Sequence, residues 1–460
     1  MHQRLDQRSR TEEGFALNDD VIVLQGDCLD VLRSMPPRLQ VDAIVTDPPY
    51  GLSREPDMVE VMNHWLAGDD YTHRGDGFMG KSWDSFVPGP AIWRECYARL
   101  KPGGHLLAFG GTRTYDLLML AIRLAGFEIR DSIHWIYGSG FPKSLDVSKA
   151  IDGHMTRGRS DSVSLAEVNA ERPGEAFVRS ASTNGHAGFV GSGDAGPREK
   201  RSTPATDGAQ RWHGWGTALK PAHEPIVVAR KPLARTVAAN VLQHGTGALN
   251  IDACRVGTDD DTGRTRTTAL GVLNDDGWQP KAQQSESHPR GRWPSNVVLD
   301  DHAASEMDAQ TGILTSGQGN VRRSSGSDRL GNTSATYGAE SRPAGSPMVS
   351  YGDSGGASRF FPVFKYQAKA PTKERPAYVT DDGRKIAHPT CKPLDLMRWL
   401  VRLVTPPGGI VLDPFAGSGA TAEASLLEGF RSIMIEREPE YLSLIQQRVD
   451  RQSETITQRS

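Results

Sequence analysis

The chain has 460 residues, a net charge of −3 at pH 7 and four cysteines that form no C-x-x-C pair. The length allows two or three domains, and the charge gives no overall basic signature of nucleic-acid binding, although local patches decide that question. The cysteine pattern argues against a disulfide framework or a zinc site, and no apolar run reaches membrane length, so we expect a cytoplasmic protein without a metal or membrane contact.

The first part of the chain, residues 19–150, alternates short apolar runs with helical patterns. Strands are predicted at DVIVLQGD, VDAIVTD, GGHLLAFGG and EIRDSIHWIY, and helices around PAIWRECYARL and TYDLLMLAIRLAGF. Alternating strands and helices are typical of a parallel sheet with helices on its faces. We therefore predict an α/β fold.

A stiff loop is predicted directly after the second of these strands, at VTDPPYG. Two prolines fix φ and remove N–H groups, so the segment neither continues the sheet nor starts a helix interior. The loop should hold Asp47, Pro48, Pro49 and Tyr50 in a fixed relation at a strand end, where open α/β sheets bind ligands. The alternative interpretation is a proline-stiffened turn in which Asp47 is only a local cap.

The middle of the chain differs in composition from both ends. Residues 151–211 are rich in Gly, Ser, Arg and Asp and are predicted to form a low-complexity loop, whereas 212–235 contain one apolar core strand, PIVVA. Residues 236–370 hold short structured segments, such as GALNIDACRVG and GRWPSNVVLD, that we interpret as an additional domain.

The last part, residues 371–452, repeats the α/β pattern. Helix LDLMRWLVRLV precedes strand IVLD, a glycine-rich turn, a helix, strand SIMIE and a final helix. Gly417 and Gly419 allow a ligand to approach the backbone at a helix N-terminus, and Glu436 ends the next strand, where an acid can bind ribose hydroxyls. This turn alone fits either NAD or S-adenosylmethionine. Asp413 favours S-adenosylmethionine, because a carboxylate suits a cationic methionine group better than a pyrophosphate.

Three motifs in this order carry a resemblance to a known family: DPPY, then HPTCKP (388–393), then FAGSG. Together they resemble the DNA amino-methyltransferases that modify adenine N6 or cytosine N4, and their order is similar to the circularly permuted beta group. Phage and prophage adenine methylases share stretches like WIYGSGFPKS and GWGTALKPAHEPIVVARKP. The resemblance implies a Rossmann-like S-adenosylmethionine-dependent methyltransferase fold, circularly permuted, with an inserted DNA-recognition region at 236–370.

The resemblance also implies roles for individual residues. Asp47 and the Pro48 carbonyl would accept hydrogen bonds from the exocyclic amine of a flipped-out base, Pro49 would stiffen the loop, and Tyr50 would stack on the base. The residues implied to bind S-adenosylmethionine are Asp27, Cys28, Thr390, Lys392, Asp413, Phe415, Gly417, Gly419, Thr421 and Glu436. For four residues a structural role stays open: Asp27 and Thr390 as helix caps, and His223 and Glu224 as the start of a strand.

The DNA partner is expected to contact basic and aromatic residues of the middle region. The candidates are Arg255, Arg264, Arg266, Arg290, Arg292, Arg322, Arg323, Trp278 and Trp293, and Lys81 and Trp83 are candidates to cover the pocket. A homodimer and a restriction-enzyme partner are left open, in a bacterial or phage-infected cell.

The resemblance implies adenine as the target base, since enzymes of this family that modify cytosine N4 more often have Ser or Thr at the first position of DPPY; N4-cytosine is the alternative. An RNA or protein methyltransferase, an NAD-dependent oxidoreductase and a non-catalytic DNA-binding protein are the alternatives of other classes.

Overall fold

The computed structural model describes twelve stretches of the chain: 10–11, 14–52, 55–73, 84–138, 140, 144–157, 204–258, 264–266, 283–285, 290–315, 354–364 and 375–457. The chain divides into two compact units. The first unit comprises Met1–Ser139 with Ala222–Ser460, and the second comprises Gly140–Pro221.

The described strands are short and mostly lie in one sheet. In chain order they are β1 (Arg10–Thr11), β2 (Gly14–Ala16), β3 (Val21–Gln25), β4 (Val41–Thr46), β5 (Leu100–Phe109), β6 (Glu128–Ile136), β7 (His223–Arg230), β8 (Arg264–Arg266), β9 (Gln283–Ser285), β10 (Val297–Asp300), β11 (Leu314–Thr315), β12 (Ser354–Gly355), β13 (Val363–Phe364), β14 (Ala377–Val379), β15 (Lys385–Ala387), β16 (Ile410–Asp413) and β17 (Arg431–Glu436).

The described helices flank that sheet or lie in the second unit. They are α1 (Cys28–Ser34), α2 (Met58–Ala67), α3 (Pro90–Arg99), α4 (Tyr115–Leu124), α5 (Val147–Arg157), α6 (Asp207–Arg211), α7 (Val237–His244), α8 (Asp301–Thr311), α9 (Leu394–Val404), α10 (Ala420–Leu427) and α11 (Pro439–Thr457). Among them, no helix is both long and apolar enough to cross a membrane.

The main sheet has eleven strands in the order β1-β2-β3-β17-β16-β4-β5-β7-β6-β10-β13. Strands β3, β17, β16, β4 and β5 run parallel to one another, whereas β2 is antiparallel to β3, and β7 is antiparallel to both β5 and β6. The predicted parallel sheet is therefore mixed. Strand β16 from the end of the sequence lies beside β4 from its beginning, so the loop after β4 and the glycine turn after β16 share one edge of the sheet.

Helices cover both faces of this sheet. On one face, Trp93 of α3 and Leu118 of α4 are buried against Ile44 and Leu106 of the sheet. On the other face, α9 buries its apolar side, as its helical spacing predicted, together with Val45 and neighbouring strand residues. Each buried side chain of this size contributes about 1.5–3 kcal/mol, so the two packed faces fix the strand ends that carry the site.

Two segments differ from the sequence-based interpretation. Strands β10 and β13 lie in the main sheet, parallel to β6 and to each other, although both come from 236–370. Part of the predicted recognition region is thus continuous with the core. Helix α6 and most of α5 lie within the predicted loop 151–211, whose residues 158–203 are outside the described ones.

The second unit is a small helical substructure. Asp152 of α5 accepts hydrogen bonds from the backbone N–H groups of Ala205 and Thr206, at 2.9 and 3.0 Å, just before α6. The rings of Trp212 and Trp215 meet edge to face at 5.0 Å. These contacts explain why the end of this Gly- and Ser-rich segment is structured.

Candidate active site

The loop after β4 is held by side chains from two other segments. Asp84 accepts hydrogen bonds from the backbone N–H groups of Tyr50 and Gly51, at 2.8 and 3.2 Å, and Thr114 donates to the Tyr50 carbonyl at 2.6 Å. Gly51 has a φ of 65°, which lets the chain turn away after Tyr50. The stiff loop predicted from the two prolines is thus also fastened through its backbone.

The side chains of this loop meet a lysine and a glutamate from distant parts of the sequence. Lys392 Nζ lies 3.0 Å from Asp47 Oδ2 and 3.0 Å from Glu224 Oε2, and it donates to the Tyr50 hydroxyl at 2.9 Å. The Tyr50 hydroxyl in turn donates to Glu224 Oε2 at 3.0 Å. Lys392 Nζ also lies 4.7 Å from the centre of the Phe109 ring. The cluster joins the loop after β4, strand β7 and the segment before α9.

Burial and the two neighbouring carboxylates together determine the protonation states of Lys392 and Tyr50. Burial alone would lower the pKa of Lys392, but the Asp47 and Glu224 carboxylates outweigh it and raise that pKa above its ordinary value. Burial and the same two carboxylates raise the pKa of Tyr50 well above 10. The lysine is therefore a cation and the tyrosine a neutral hydrogen-bond donor at physiological pH.

One oxygen of Asp47 is buried without a hydrogen-bond partner. Within the described part of the chain, Oδ2 faces Lys392, whereas Oδ1 is enclosed and accepts no hydrogen bond. An unpaired buried acceptor carries a free-energy cost of about 1–3 kcal/mol, and such exceptions call for a ligand or a functional reason. Oδ1 therefore keeps a hydrogen-bond acceptor capacity that the described residues do not use.

The neighbouring strand β16 ends in a second buried acid, Asp413. Its Oδ1 accepts from the Thr46 hydroxyl at 2.6 Å and from the Phe415 N–H at 3.0 Å, and its Oδ2 accepts from the Thr421 hydroxyl at 2.5 Å. Burial raises the pKa of Asp413 to about 6, and these three donors oppose the shift. Because Thr46 directly precedes Asp47, Asp413 connects the glycine turn to the loop after β4.

The glycine turn requires both of its predicted glycines. Gly417 and Gly419 have φ values of 53° and 81°, which side-chain-bearing residues rarely adopt. A Cβ on Gly417 would lie 3.0 Å from His388 Nε2, and one on Gly419 would lie 3.0 Å from Ile445 Cα. Both positions are therefore closely packed, Gly417 against His388 and Gly419 against Ile445 of α11.

Glu436 at the end of β17 faces this turn. It accepts from the backbone N–H groups of Gly417 at 2.6 Å and Glu438 at 2.8 Å. Burial raises the pKa of Glu436 to about 7, although both N–H groups oppose the shift. The Gly26 N–H donates to the Glu436 carbonyl at 3.0 Å, so the end of β3, with Asp27 next to it, lies alongside.

Three further residues that the resemblance assigned to the cofactor, Asp27, Cys28 and Thr390, differ in how far they are exposed. Asp27 is exposed and caps α1 by accepting from the Leu29 N–H at 3.0 Å, whereas Cys28 is buried and its pKa is raised to about 12 by burial. Thr390 is exposed, and the structural alternative for it is wrong, since the N-cap of α9 is Pro393. For Asp27 the structural alternative is confirmed, since this residue is the N-cap of α1.

Some residues of the site carried little signal in the sequence. The interpretation of Glu224 as only a strand-entry residue is incomplete, because its side chain contacts Tyr50 and Lys392. Asp84 and Thr114 were missed altogether, since neither belongs to a recognisable motif. Residues that hold a loop through its backbone have no fixed spacing from it, so only the fold identifies them.

Part of the predicted DNA-contacting set can be located. The Arg255 guanidinium stacks over the Trp293 ring at 5.2 Å, and Arg292 lies over the Phe360 ring at 5.1 Å. Trp293 is exposed. The side chains that lie outside the described residues are those of Lys81, Trp83, Arg264, Arg266, Trp278, Arg322 and Arg323. Among described residues, no group of three or more His, Cys, Asp or Glu side chains is arranged to hold a metal ion.

Comparison with protein families gives a match over most of the chain. A family model for DNA methylases of the N6/N4 type matches residues 41–447. The type II methyltransferase M2.DpnII of Streptococcus pneumoniae is 40% identical over 68 residues, which are 15% of this chain and 25% of that protein. The DNA adenine methyltransferase YhdJ of Escherichia coli (strain K12) is 38% identical over 76 residues, 16% of this chain and 25% of that protein. The aligned segments thus span about a quarter of these relatives.

Solved structures give a more distant likeness. The M1.HpyAVI–SAM complex aligns with 93% of this chain and 98% of its own at 13% identity and a TM-score of 0.37. The cytosine-N4-specific PvuII DNA methyltransferase aligns with 94% of this chain and 86% of its own at 14% identity and a TM-score of 0.38.

Proposed function

The chain belongs to the family of N6/N4 DNA methylases, and we propose that it transfers a methyl group from S-adenosylmethionine to the N6 amine of adenine in DNA. The observation that supports this reaction most directly is the partnerless Asp47 Oδ1 at the end of β4, one strand from the glycine turn. This oxygen suits an exocyclic amine, which must donate a hydrogen bond to be oriented.

The catalytic loop would act by alignment. Asp47 Oδ1 and the Pro48 carbonyl accept the two amine hydrogens, which turns the nitrogen lone pair out of conjugation with the ring. Preorganised acceptors of this kind lower the barrier because they need no rearrangement during the reaction. Tyr50, fastened through its own N–H and carbonyl, presents a ring on which the base can stack. No strong base is required, since the proton is lost after methyl transfer.

The turn after β16 fits S-adenosylmethionine. Gly417 and Gly419 adopt positive φ and carry no side chain, which suits a turn whose backbone lies close to a ligand. We assign Glu436 to the ribose hydroxyls and Asp413, through the turn it organises with Phe415 and Thr421, to the methionine end. The cofactor supplies an electrophilic methyl group bound to a sulfonium sulfur.

DNA is the proposed partner. An amine that is paired inside a duplex cannot reach the loop, so the target base must be flipped out. The exposed rings of Trp293 and Phe360, each with an arginine beside it, would suit stacking of unpaired bases. Adenine is proposed over cytosine from the DPPY motif, and the DNA adenine methyltransferase YhdJ among the relatives is in keeping with it.

Mass spectrometry of nucleosides tests the proposed reaction. Unmethylated DNA is incubated with the protein and S-adenosylmethionine, then digested, with a reaction that lacks the cofactor as control. N6-methyladenine is the expected product. N4-methylcytosine would retain the mechanism and overturn the base assignment, and the absence of a methylated nucleoside despite cofactor binding would overturn the DNA substrate.

Binding of S-adenosylmethionine should depend on the protonation of Glu436. Its pKa is about 7, and ribose hydroxyls donate to the ionised carboxylate, so the cofactor favours the ionised form. Affinity should therefore fall as pH drops below 7, approaching about tenfold per pH unit. Isothermal titration calorimetry from about pH 8 to about pH 6.5 measures this affinity. Over that range Asp413, whose pKa is about 6, stays mostly ionised and contributes little to the change. In Glu436→Gln the affinity should be weaker and flat over this range; an unchanged pH dependence would remove Glu436 from the ribose site.

A further inference from the structure

Lys392 lies in the element that the sequence resemblance assigns to the cofactor, yet all its hydrogen-bonding capacity is directed elsewhere. An ammonium group has three N–H donors and no acceptor. In the structure these donors have three partners at 2.9–3.0 Å: Asp47 Oδ2, Glu224 Oε2 and the Tyr50 hydroxyl. The residue is 9% exposed. A contact between Lys392 and the cofactor would require one of these three to break.

The same contacts decide which Asp47 oxygen is available. Because Oδ2 faces the ammonium group, Oδ1 is the carboxylate oxygen that is left buried without a hydrogen-bond partner among the described residues. Glu224 completes the arrangement, since its Oε2 accepts from both the Tyr50 hydroxyl and Lys392. One lysine and one glutamate thereby fix both functional side chains of the loop.

We propose that Lys392 and Glu224 form a clamp that positions Asp47 and Tyr50 for the target base, and that Lys392 is not a cofactor ligand. This inference rests on the proposed methyl transfer. Both members are positioning residues, because they act through Asp47 and Tyr50. The clamp also connects the segment before α9 to the catalytic loop, so the two halves of the chain are joined at the point where the base is held.

Replacing the lysine separates the two roles. Lys392→Met keeps the length of the side chain and removes its donors. We expect kcat at saturating S-adenosylmethionine to fall about 10²–10³-fold, the loss typical of a preorganised polar group, with the cofactor dissociation constant changed less than about threefold. If cofactor affinity falls by the same factor as kcat/KM while kcat is retained, Lys392 is a cofactor ligand and the clamp is wrong.

The pH profile identifies the part played by Glu224. The charged or titratable groups that face Lys392 are Asp47 and Tyr50 from the loop and Glu224 from β7. In Glu224→Gln one carboxylate is lost, burial lowers the pKa of Lys392, and the loss of activity with rising pH should begin at lower pH than in the wild type. If activity is lost at the same alkaline pH in Glu224→Gln and in the wild type, the proposed clamp is wrong. The amide still accepts from Tyr50, so the variant keeps the shape of the site.

A readout without substrate keeps this test separate from the proposed function. In the ligand-free protein, Lys392→Met leaves the Asp47 and Glu224 carboxylates facing each other without their cation, so its thermal midpoint should fall and should partly recover when Glu224→Gln is added. Lys101→Met, which breaks the Lys101–Asp42 pair at 2.6 Å elsewhere in the sheet, is the matched control and should leave the pH profile unchanged. If the thermal midpoint does not recover in the double variant, the clamp is wrong. If the wild type binds the cofactor but does not methylate DNA, only the proposed function is wrong.

Discussion

Asp47→Asn should lower kcat for methyl transfer by about 10²–10³-fold while leaving cofactor affinity nearly unchanged. The two carboxylate oxygens differ, since Oδ2 faces the Lys392 ammonium and Oδ1 is buried without a hydrogen-bond partner among the described residues. An asparagine has only one oxygen. Its NH₂ group must therefore face either the lysine or the substrate amine, and both of these are donors. Single-turnover methylation at saturating cofactor, together with calorimetric titration of S-adenosylmethionine, measures the two quantities.

The matched control is Asp57→Asn at the N-terminus of α2. Asp57 is exposed and caps the helix by accepting from the Val59 N–H at 2.8 Å, a role that asparagine performs equally well. Its methylation rate should equal that of the wild type. Retention of wild-type kcat in Asp47→Asn would mean that the carboxylate does not orient the amine, and the loop would then have only a structural function.

Much of the architecture could be predicted because periodic patterns in the sequence report local burial. Helix α9 and strand β16 begin and end where the patterns LDLMRWLVRLV and IVLD do. The glycines of the turn were predicted from their backbone requirement, and both adopt positive φ. Helix α2 was not predicted, since its residues follow the proline loop, and the flanking Gly and Asp resemble an extended loop.

Contacts between distant segments could not be predicted in the same way. Lys392 and Glu224 are 168 positions apart, and only the sheet order, which places β7 beside β5 and β16 beside β4, brings their segments to the same loop. The short strands β10 and β13 were likewise interpreted as part of an inserted domain, because two to four apolar residues do not show which sheet they join. The boundaries of the predicted recognition region stay a prediction.

The buried carboxylate of Glu423 in α10 is another contact between distant segments that the sequence did not predict. Sequence reasoning treats a glutamate in a helix as exposed, but α10 is enclosed along most of its length and Glu423 is 1% exposed. Its carboxylate accepts hydrogen bonds from Arg448, which is fully buried on α11, and from Gln452 at 2.9 Å, and Arg451 lies 3.0 Å away. The network fastens the helix that follows the glycine turn to the last helix of the chain.

Glu423→Gln should therefore lower the free energy of unfolding by about 3–5 kcal/mol, because it leaves the Arg448 guanidinium buried without its counter-charge. The urea midpoint at unchanged slope measures the loss. Asp450→Asn, an exposed acid on the same helix as Arg448, is the control and should change the free energy by less than about 0.5 kcal/mol. The double variant Glu423→Leu/Arg448→Met removes both charges and should recover most of the stability, since a buried pair is often no more favourable than apolar side chains of similar volume. A double variant as unstable as Glu423→Gln would show that the network holds the glycine turn through hydrogen-bond geometry and not through charge balance. In that case cofactor affinity, which depends on the position of Gly417 and Gly419 ahead of α10, should fall in both variants alike.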